Sequence, residues 1–263
     1  MLTSGHAHVT EDASSRAASP PRVQPIPARA HTSPSHPATA QLVVLDSSLV
    51  PSVAHFAQWG EQLAAHGFAR MRTGALGPRQ ALQAQTAGLR CIQELVLLQA
   101  DAPLTVRAER QRTSRRQARH SADLVEVDRL AFVDGWHLDE TMLDDVRTAT
   151  PAARERVVTF RDLGVSVGRS TDGAHPRVAG FLISGRAGRY GYIQRLAVHP
   201  DARRNAVAAS LLSDALGWLR RHGVARVFVN THVDNHPALA LYRAHGFSDL
   251  PERLRVFEGP TRR

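Results

Sequence analysis

Within thirty residues, Gly191 to Leu219 runs strand, break, then helix, and this order limits what the chain can fold into. Tyr192-Ile193-Gln194-Arg195-Leu196-Ala197-Val198 mixes apolar and polar residues with strand character. His199-Pro200-Asp201 ends the strand, because proline has no N–H to give to a sheet ladder. From Val207 onward the apolar residues Val207, Leu211, Leu212, Leu216 and Leu219 recur at helical spacing. Between strand and helix lies Arg203-Arg204-Asn205-Ala206-Val207-Ala208. The first N–H groups of a helix lack partners, and the helix dipole leaves partial positive charge there. Two arginines add charge-assisted donors, and small residues let a phosphate group approach the backbone. An ordinary turn with solvated arginines fits the same residues.

A second unit follows downstream. Ala225 to Asn230 reads as a strand. Asp234-Asn235-His236-Pro237 supplies an N-cap and a first-turn proline, and Gly246 stops the helix.

Taken together, the two stretches resemble the GNAT superfamily of N-acetyltransferases. The family's acetyl-CoA motif, Gln/Arg-x-x-Gly-x-Gly/Ala after a strand ending in Val-x-Pro, is matched at Arg203, Ala206 and Ala208. Its N-x-x-A-x-x-L-Y-x-x-x-G-F signature is matched at Asn235, Ala238, Leu241, Tyr242, Gly246 and Phe247. The departure is Ala206, where the family usually has glycine. In a left-handed conformation alanine costs about 1 kcal/mol, whereas in a helix it is favoured over glycine. The resemblance covers residues 104–258 well. It implies an α/β (α+β) GNAT fold, with a mixed central sheet flanked by helices.

The resemblance also implies direct transfer of acetyl from acetyl-CoA to an amine. Arg203, Arg204, Asn205, Ala206, Val207 and Ala208 are expected to cradle the pyrophosphate. Backbone groups of Leu196, Ala197 and Val198 are expected to hold the pantetheine arm and stabilise the oxyanion, with Asn235 as a further cofactor contact. Tyr242 resembles the family's general acid. Its phenol has an ordinary pKa near 10, against about 8.5 for a thiol. Trp136, His137 and Asp139 are nominated on the acceptor side. His232, Asp134 and His137 are candidates for the general base. Gln194 to Val198 and the segment from Asn235 to Phe247 resemble the branch that acetylates protein N-termini, including a ribosomal-protein alanine. A small-molecule amine acceptor and a silent acetyl-CoA-binding scaffold are the alternatives.

All 33 basic residues are arginine, and the formal net charge is +9. Residues 104–263 carry 26 of them against 18 acids, so the surplus lies in the expected catalytic part. This suits a phosphate-rich cofactor and does not by itself indicate nucleic acid. The single cysteine, Cys91, excludes an intramolecular disulfide and a multi-cysteine zinc site; no metal is expected. No apolar run approaches the ~20 residues of a membrane span, and the N-terminus lacks a secretory apolar core. A cytoplasmic protein is expected.

Residues 1–40, rich in Ala, Pro, Ser and His, are expected to be disordered, and 259–263 reads as a short tail. Residues 41–103 read as a smaller lobe. Its Ala65-His66-Gly67-Phe68-Ala69-Arg70 echoes Arg221-His222-Gly223-Val224-Ala225-Arg226, and Gly88-Leu89 echoes Gly246-Phe247. We read it as a degenerate copy of the C-terminal half of the fold, without the phosphate turn and with Gln85 or a neighbour in place of Tyr242. It packs in cis or makes a homodimer. In the third part, 104–258, Leu104 to Glu109 is expected to be the first strand and Arg110 to His120 a solvated basic loop. Helices are expected over 122–132 and 140–148, and strands over 156–160 and 177–184.

Overall fold

The computed structural model describes residues 7–8, 25–33, 36–46, 48–108, 110–116, 120–132, 137–164 and 177–261. In chain order the elements begin with β1 (Ala7–His8), β2 (Ala28–Ser33), β3 (His36–Val44), α1 (Val53–Ala65), β4 (Arg70–Thr73), α2 (Pro78–Thr86) and β5 (Arg90–Asp101). There follow β6 (Ser114–Arg115), α3 (Ser121–Ala131), α4 (Glu140–Thr148), β7 (Ala152–Thr159), α5 (Phe160–Leu163), β8 (Val178–Ala187) and β9 (Tyr190–Val198). The last are α6 (Val207–Arg221), β10 (Arg226–His232), α7 (His236–Ala244) and β11 (Ser248–Pro260). The chain divides into two compact units, Met1–Val96 with Pro251–Arg263, and Leu97–Leu250.

In the first unit β2 and β3 form an antiparallel hairpin. β3 runs parallel to β4, and the end of β11 pairs antiparallel with β4. Phe56, Trp59 and Leu63 of α1 close over Ala40, Leu42 and Met71 in one apolar cluster. Here the structure corrects the expectation of disorder over 1–40, because residues 28–33 and 36–40 are strand. The strands use small residues in the core: Ala30 and Ala40 are buried in the cluster that α1 and β4 also enter. Composition misses such strands, since pairing rather than apolar bulk holds them.

In the second unit β10, β9, β8, β7 and β6 are neighbours in that order, parallel at β10–β9 and antiparallel elsewhere. Leu124 and Val127 of α3 and Met142 and Leu143 of α4 bury against Val157, Phe181, Ile183 and Ala197. Leu211, Leu212, Leu216 and Leu219 of α6 are fully buried, each worth about 2 kcal/mol. Gly180 permits the close approach of α6: a Cβ there would lie 2.8 Å from Val207 Cγ1 and 2.9 Å from the Ala197 carbonyl.

The expected first strand at 104–109 is absent. Residues 104–108 are irregular, and Glu109 lies outside the described residues. Just beyond, the amides of Arg110 and Gln111 donate to Ser210 Oγ (3.1 and 2.9 Å). The expected basic loop contributes the short strand β6. The other helices and strands of this unit lie where the periodicity places them, with ends shifted by a few residues.

The echo between the halves extends to individual bonds. His66 Nδ1 meets the Gln62 carbonyl at 2.8 Å, and His222 Nδ1 meets the Trp218 carbonyl at 2.8 Å. Gly67 and Gly223 both have positive φ, +88° and +68°. The Leu89 amide donates to the Ala84 carbonyl and the Phe247 amide to the Tyr242 carbonyl, both at 3.1 Å. Ala84, the neighbour of Gln85, therefore stands in the place of Tyr242.

Candidate functional site

The residues at the centre of the second unit follow from how β9 and β10 run. Their parallel ladder joins Arg226 to Tyr190, Val227 to Gly191 and Phe228 to Tyr192, and no pair joins them beyond that. The two strands part, and the β10-facing edge of β9 from Ile193 to Val198 is left without a ladder partner among the described residues. On its other edge β9 follows β8 with one irregularity: Ile183 pairs with Arg195 and Ser184 with Ile193. Gln194 is thus an extra residue, a bulge. It turns both Gln194 and Arg195 towards the helices α3 and α4. Gln194 Nε2 donates to the Val146 carbonyl (3.0 Å). Arg195 Nε and Nη2 donate to Asp128 Oδ1 and Oδ2, each at 2.7 Å.

Leu196, Ala197 and Val198 are the last residues of β9, paired with Leu182, Phe181 and Gly180. Their outer edge offers backbone groups towards the gap. A short turn, Pro200–Ala202, follows, capped by His199, whose Nδ1 accepts the Asp201 amide (3.2 Å). Burial pushes the His199 pKa down, so the ring stays neutral at neutral pH.

The turn Arg203 to Ala208 then enters α6. Arg204 and Ala206 have φ of +63° and +57° and are the non-glycine residues with positive φ among those described. No backbone acceptor among the described residues takes the amides of Arg204, Asn205 or Ala206. Alternating backbone handedness of this kind gathers successive N–H groups into an anion-binding concavity, next to the positive end of a fifteen-residue helix. Arg203, Arg204 and Asn205 are exposed beside it. These features fit a pyrophosphate. Gln111 Nε2 braces the turn at the Asn205 carbonyl (3.0 Å).

The conformational question at Ala206 is therefore answered: it is left-handed, at φ 57° and ψ 15°. Ala206→Gly is expected to stabilise the protein by about 1 kcal/mol and to tighten acetyl-CoA binding a few-fold. Chemical denaturation and calorimetric titration check this; an unchanged unfolding midpoint would show that the strain is absorbed elsewhere.

Tyr242 on α7 is 5% exposed, its ring 5.7 Å from that of Phe247. Burial drives its phenol well above the ordinary tyrosine range, and the Arg195 charge offsets part of that rise. Asn235 caps α7. Its Oδ1 accepts the Ala238 amide (3.3 Å) and its Nδ2 donates to Thr231 Oγ1 (3.0 Å), so both ends of the amide already serve the cap. Asp139 is likewise a cap, with Oδ1 accepting the Met142 amide at 2.8 Å. His137 is half-buried just before it. Trp136 and Asp134 lie outside the described residues. His232 ends β10; its Nδ1 accepts the Asp234 amide (3.2 Å).

Sequence reasoning missed Asp128 and Arg195. Asp128 is fully buried and its partner is 8% exposed. A lone aspartate inside a helix carries no motif. An aspartate on the inward row with Leu124 and Val127 was the available signal. It also missed an aromatic shelf on the helix side of the sheet. Tyr190 and Tyr192 flank Phe228 at centroid distances of 6.2 and 6.0 Å. Their cross-strand neighbours on β8 are only Ala187 and Gly185.

With this geometry in place, residues 138–247 match the model of the Acetyltransferase (GNAT) family. GCN5-related N-acetyltransferase 6, chloroplastic, of Arabidopsis thaliana is 42% identical over 59 residues, 22% of this chain and 20% of that protein. The matched stretch is thus a fifth of the relative's length. Among solved structures, a tandem GNAT protein from the clavulanic acid biosynthesis pathway aligns with 90% of this chain and 79% of its own, at 18% identity and TM-score 0.58. A GCN5-related N-acetyltransferase from Sphaerobacter thermophilus aligns with 90% and 77%, at 15% identity and TM-score 0.56. At such identities the likeness is one of fold, and the fold is the mixed α/β GNAT fold.

Proposed function

We propose that this chain, which has the GNAT fold and carries the GNAT acetyltransferase match over residues 138–247, transfers acetyl from acetyl-CoA to an amine by direct transfer. The observation that carries the reading is the pair of left-handed residues, Arg204 and Ala206, at the head of α6 beside the parted strands β9 and β10. Acetyl-CoA, as co-substrate, supplies an acetyl group activated as a thioester. The turn from Arg203 to Ala208 binds the pyrophosphate through backbone N–H groups and guanidinium charge. The unpaired edge of Leu196 to Val198 orients the pantetheine arm, and its amides meet charge developing on the carbonyl oxygen. Tyr242 gives its phenolic proton to the departing sulfur. The proton of the amine leaves through water.

The acceptor reaches this centre across the helix side of the sheet, where the shelf of Tyr190, Tyr192 and Phe228 continues into the bulge. We favour an amine with an apolar or aromatic arm, a protein N-terminus of that kind included. Replacement of Phe228 by Ala is expected to raise KM for such an amine about tenfold and to leave KM for acetyl-CoA unchanged. Equal KM values for the variant and the parent protein would remove the shelf from the acceptor site.

The reading as a whole is tested by titrating the protein with acetyl-CoA and then following free thiol release with a panel of amines. Micromolar binding and amine-dependent thiol release are expected. No binding up to millimolar concentration would overturn it.

A further inference from the structure

We infer that Asp128 and Arg195 are positioning residues, which hold the bulged segment of β9 in the geometry that its backbone needs to act on the thioester. The inference rests on the acetyltransferase reading above. β9 is an unusual strand at this point. Beyond Tyr192 it has lost its β10 partner, and at Gln194 its ladder to β8 is interrupted. Past the bulge the strand keeps its β8 ladder but has no partner on its other edge among the described residues, and these are the residues whose amides must stay fixed for catalysis.

The structure supplies the missing restraint through side chains. The bulge sends two consecutive side chains to the same face, and each is tied to a different helix: Gln194 to the Val146 carbonyl at the end of α4, and Arg195 to Asp128 on α3. The second tie is the stronger. It is bidentate, with both bonds at 2.7 Å, which fixes the plane of the guanidinium as well as its position. Asp128 Oδ2 also accepts the Leu138 amide at 2.7 Å, and the guanidinium carbon lies 3.5 Å from the centre of the Phe132 ring. The carboxylate is thereby locked, and the arginine is held between it and an aromatic face.

Stability alone is a weak reason for such a pair. Burying two charges costs desolvation that their attraction barely returns, and well-packed apolar residues of similar volume often do as well or better. What an ion pair of this geometry adds is direction. Because Arg195 is the residue directly after the bulge, its direction sets that of the amides at Leu196 to Val198. Its positive charge also offsets part of the rise that burial imposes on the Tyr242 phenol.

The test separates positioning from packing. The double variant Asp128→Leu/Arg195→Met removes both charges and keeps the site filled; Asp128→Asn removes the carboxylate charge alone. Amide hydrogen exchange of Leu196, Ala197 and Val198 is measured first, without substrate, alongside thermal unfolding. Turnover and KM for acetyl-CoA follow. The double variant is expected to unfold cooperatively near the parent temperature and to exchange these amides at least tenfold faster. Its turnover is expected to fall at least tenfold, with a smaller rise in KM for acetyl-CoA because the phosphate turn is untouched. Unchanged exchange in the folded double variant would overturn the inference, as would unchanged turnover. Failure of the parent protein to bind acetyl-CoA would sink the acetyltransferase reading instead, and the exchange measurement would still decide whether the pair holds the strand.

Discussion

Tyr242→Phe is expected to lower turnover about a hundredfold while acetyl-CoA affinity stays within about twofold. The substitution removes one oxygen from a side chain that is 5% exposed and packed against Phe247, so the ring volume and the helix are kept. What is lost is the proton. Burial raises the phenol's pKa, and Arg195 only partly offsets this. The hydroxyl is therefore protonated throughout the neutral range, as an acid must be before it acts. A raised pKa also makes a phenol a more reluctant donor. In the proposed reaction the leaving sulfur would share these surroundings, and desolvation raises the proton affinity of a thiolate in the same direction. The two shifts move together, and the transfer stays near balance. No loss of rate from Tyr242 ionisation is expected below pH 10, and the variant should be slow at every pH. Steady-state kinetics with saturating acetyl-CoA check this; a variant that keeps more than half of the parent turnover would show that another group or water protonates the sulfur.

How much of this was legible from residues alone depends on whether the signal is local. The turn at Arg203 to Ala208, the cap at Asn235 and the stop at Gly246 are written in neighbouring residues, and the structure places them in a turn, a helix N-cap and a positive-φ glycine. The left-handed backbone of Ala206 was not legible, because alanine by itself favours the opposite choice. The bulge at Gln194 was also hidden, since one extra residue in a strand leaves the alternation of apolar side chains almost unchanged. The Asp128–Arg195 pair joins residues 67 positions apart, beyond the reach of any spacing argument.

The first unit shows the same limit from the other side. Its repeat of His-Gly and Gly-Leu was readable because turn chemistry repeats with it. β2 and the first part of β3 were not, because alanine, threonine and histidine reveal a strand only through their partners. At the bond level the halves differ where chemistry would need them to agree. Ser52 caps α1 with extended backbone, φ −81° and ψ 169°, where Ala206 before α6 is left-handed. Ala84 has no hydroxyl where Tyr242 has one. We propose that the first unit is a diverged copy of the second that retains the succession of helices and strands without the phosphate turn or the acid.

Asp214→Ala is expected to cost about 3 kcal/mol of stability, the range for breaking a buried pair by removing one partner. Asp214 lies on α6 and is 8% exposed. Its carboxylate accepts from Arg154 Nε (2.9 Å), Arg156 Nε (3.2 Å) and Thr113 Oγ1 (2.8 Å). Its removal leaves two guanidinium groups side by side on β7 with no counter-charge from α6. The pH dependence follows from the same contacts. Burial pushes the Asp214 carboxyl up, but Arg154, Thr113 and Arg156 outweigh it, and the net shift is downward. A carboxyl with a depressed pKa adds stability that is fully present above its unfolded value, about 3.9. That stability is lost as pH falls from there through the folded value. Urea unfolding should therefore show the parent protein weakening below about pH 4, with Asp214→Asn flatter over the same window. Parallel pH curves for the two proteins would remove Asp214 from the acid response. The variant should also bind acetyl-CoA more weakly, although no residue of the turn is changed. Thr113 and Ser210 anchor the segment from which Gln111 reaches the Asn205 carbonyl, so loosening that segment leaves the left-handed turn to hold its shape alone.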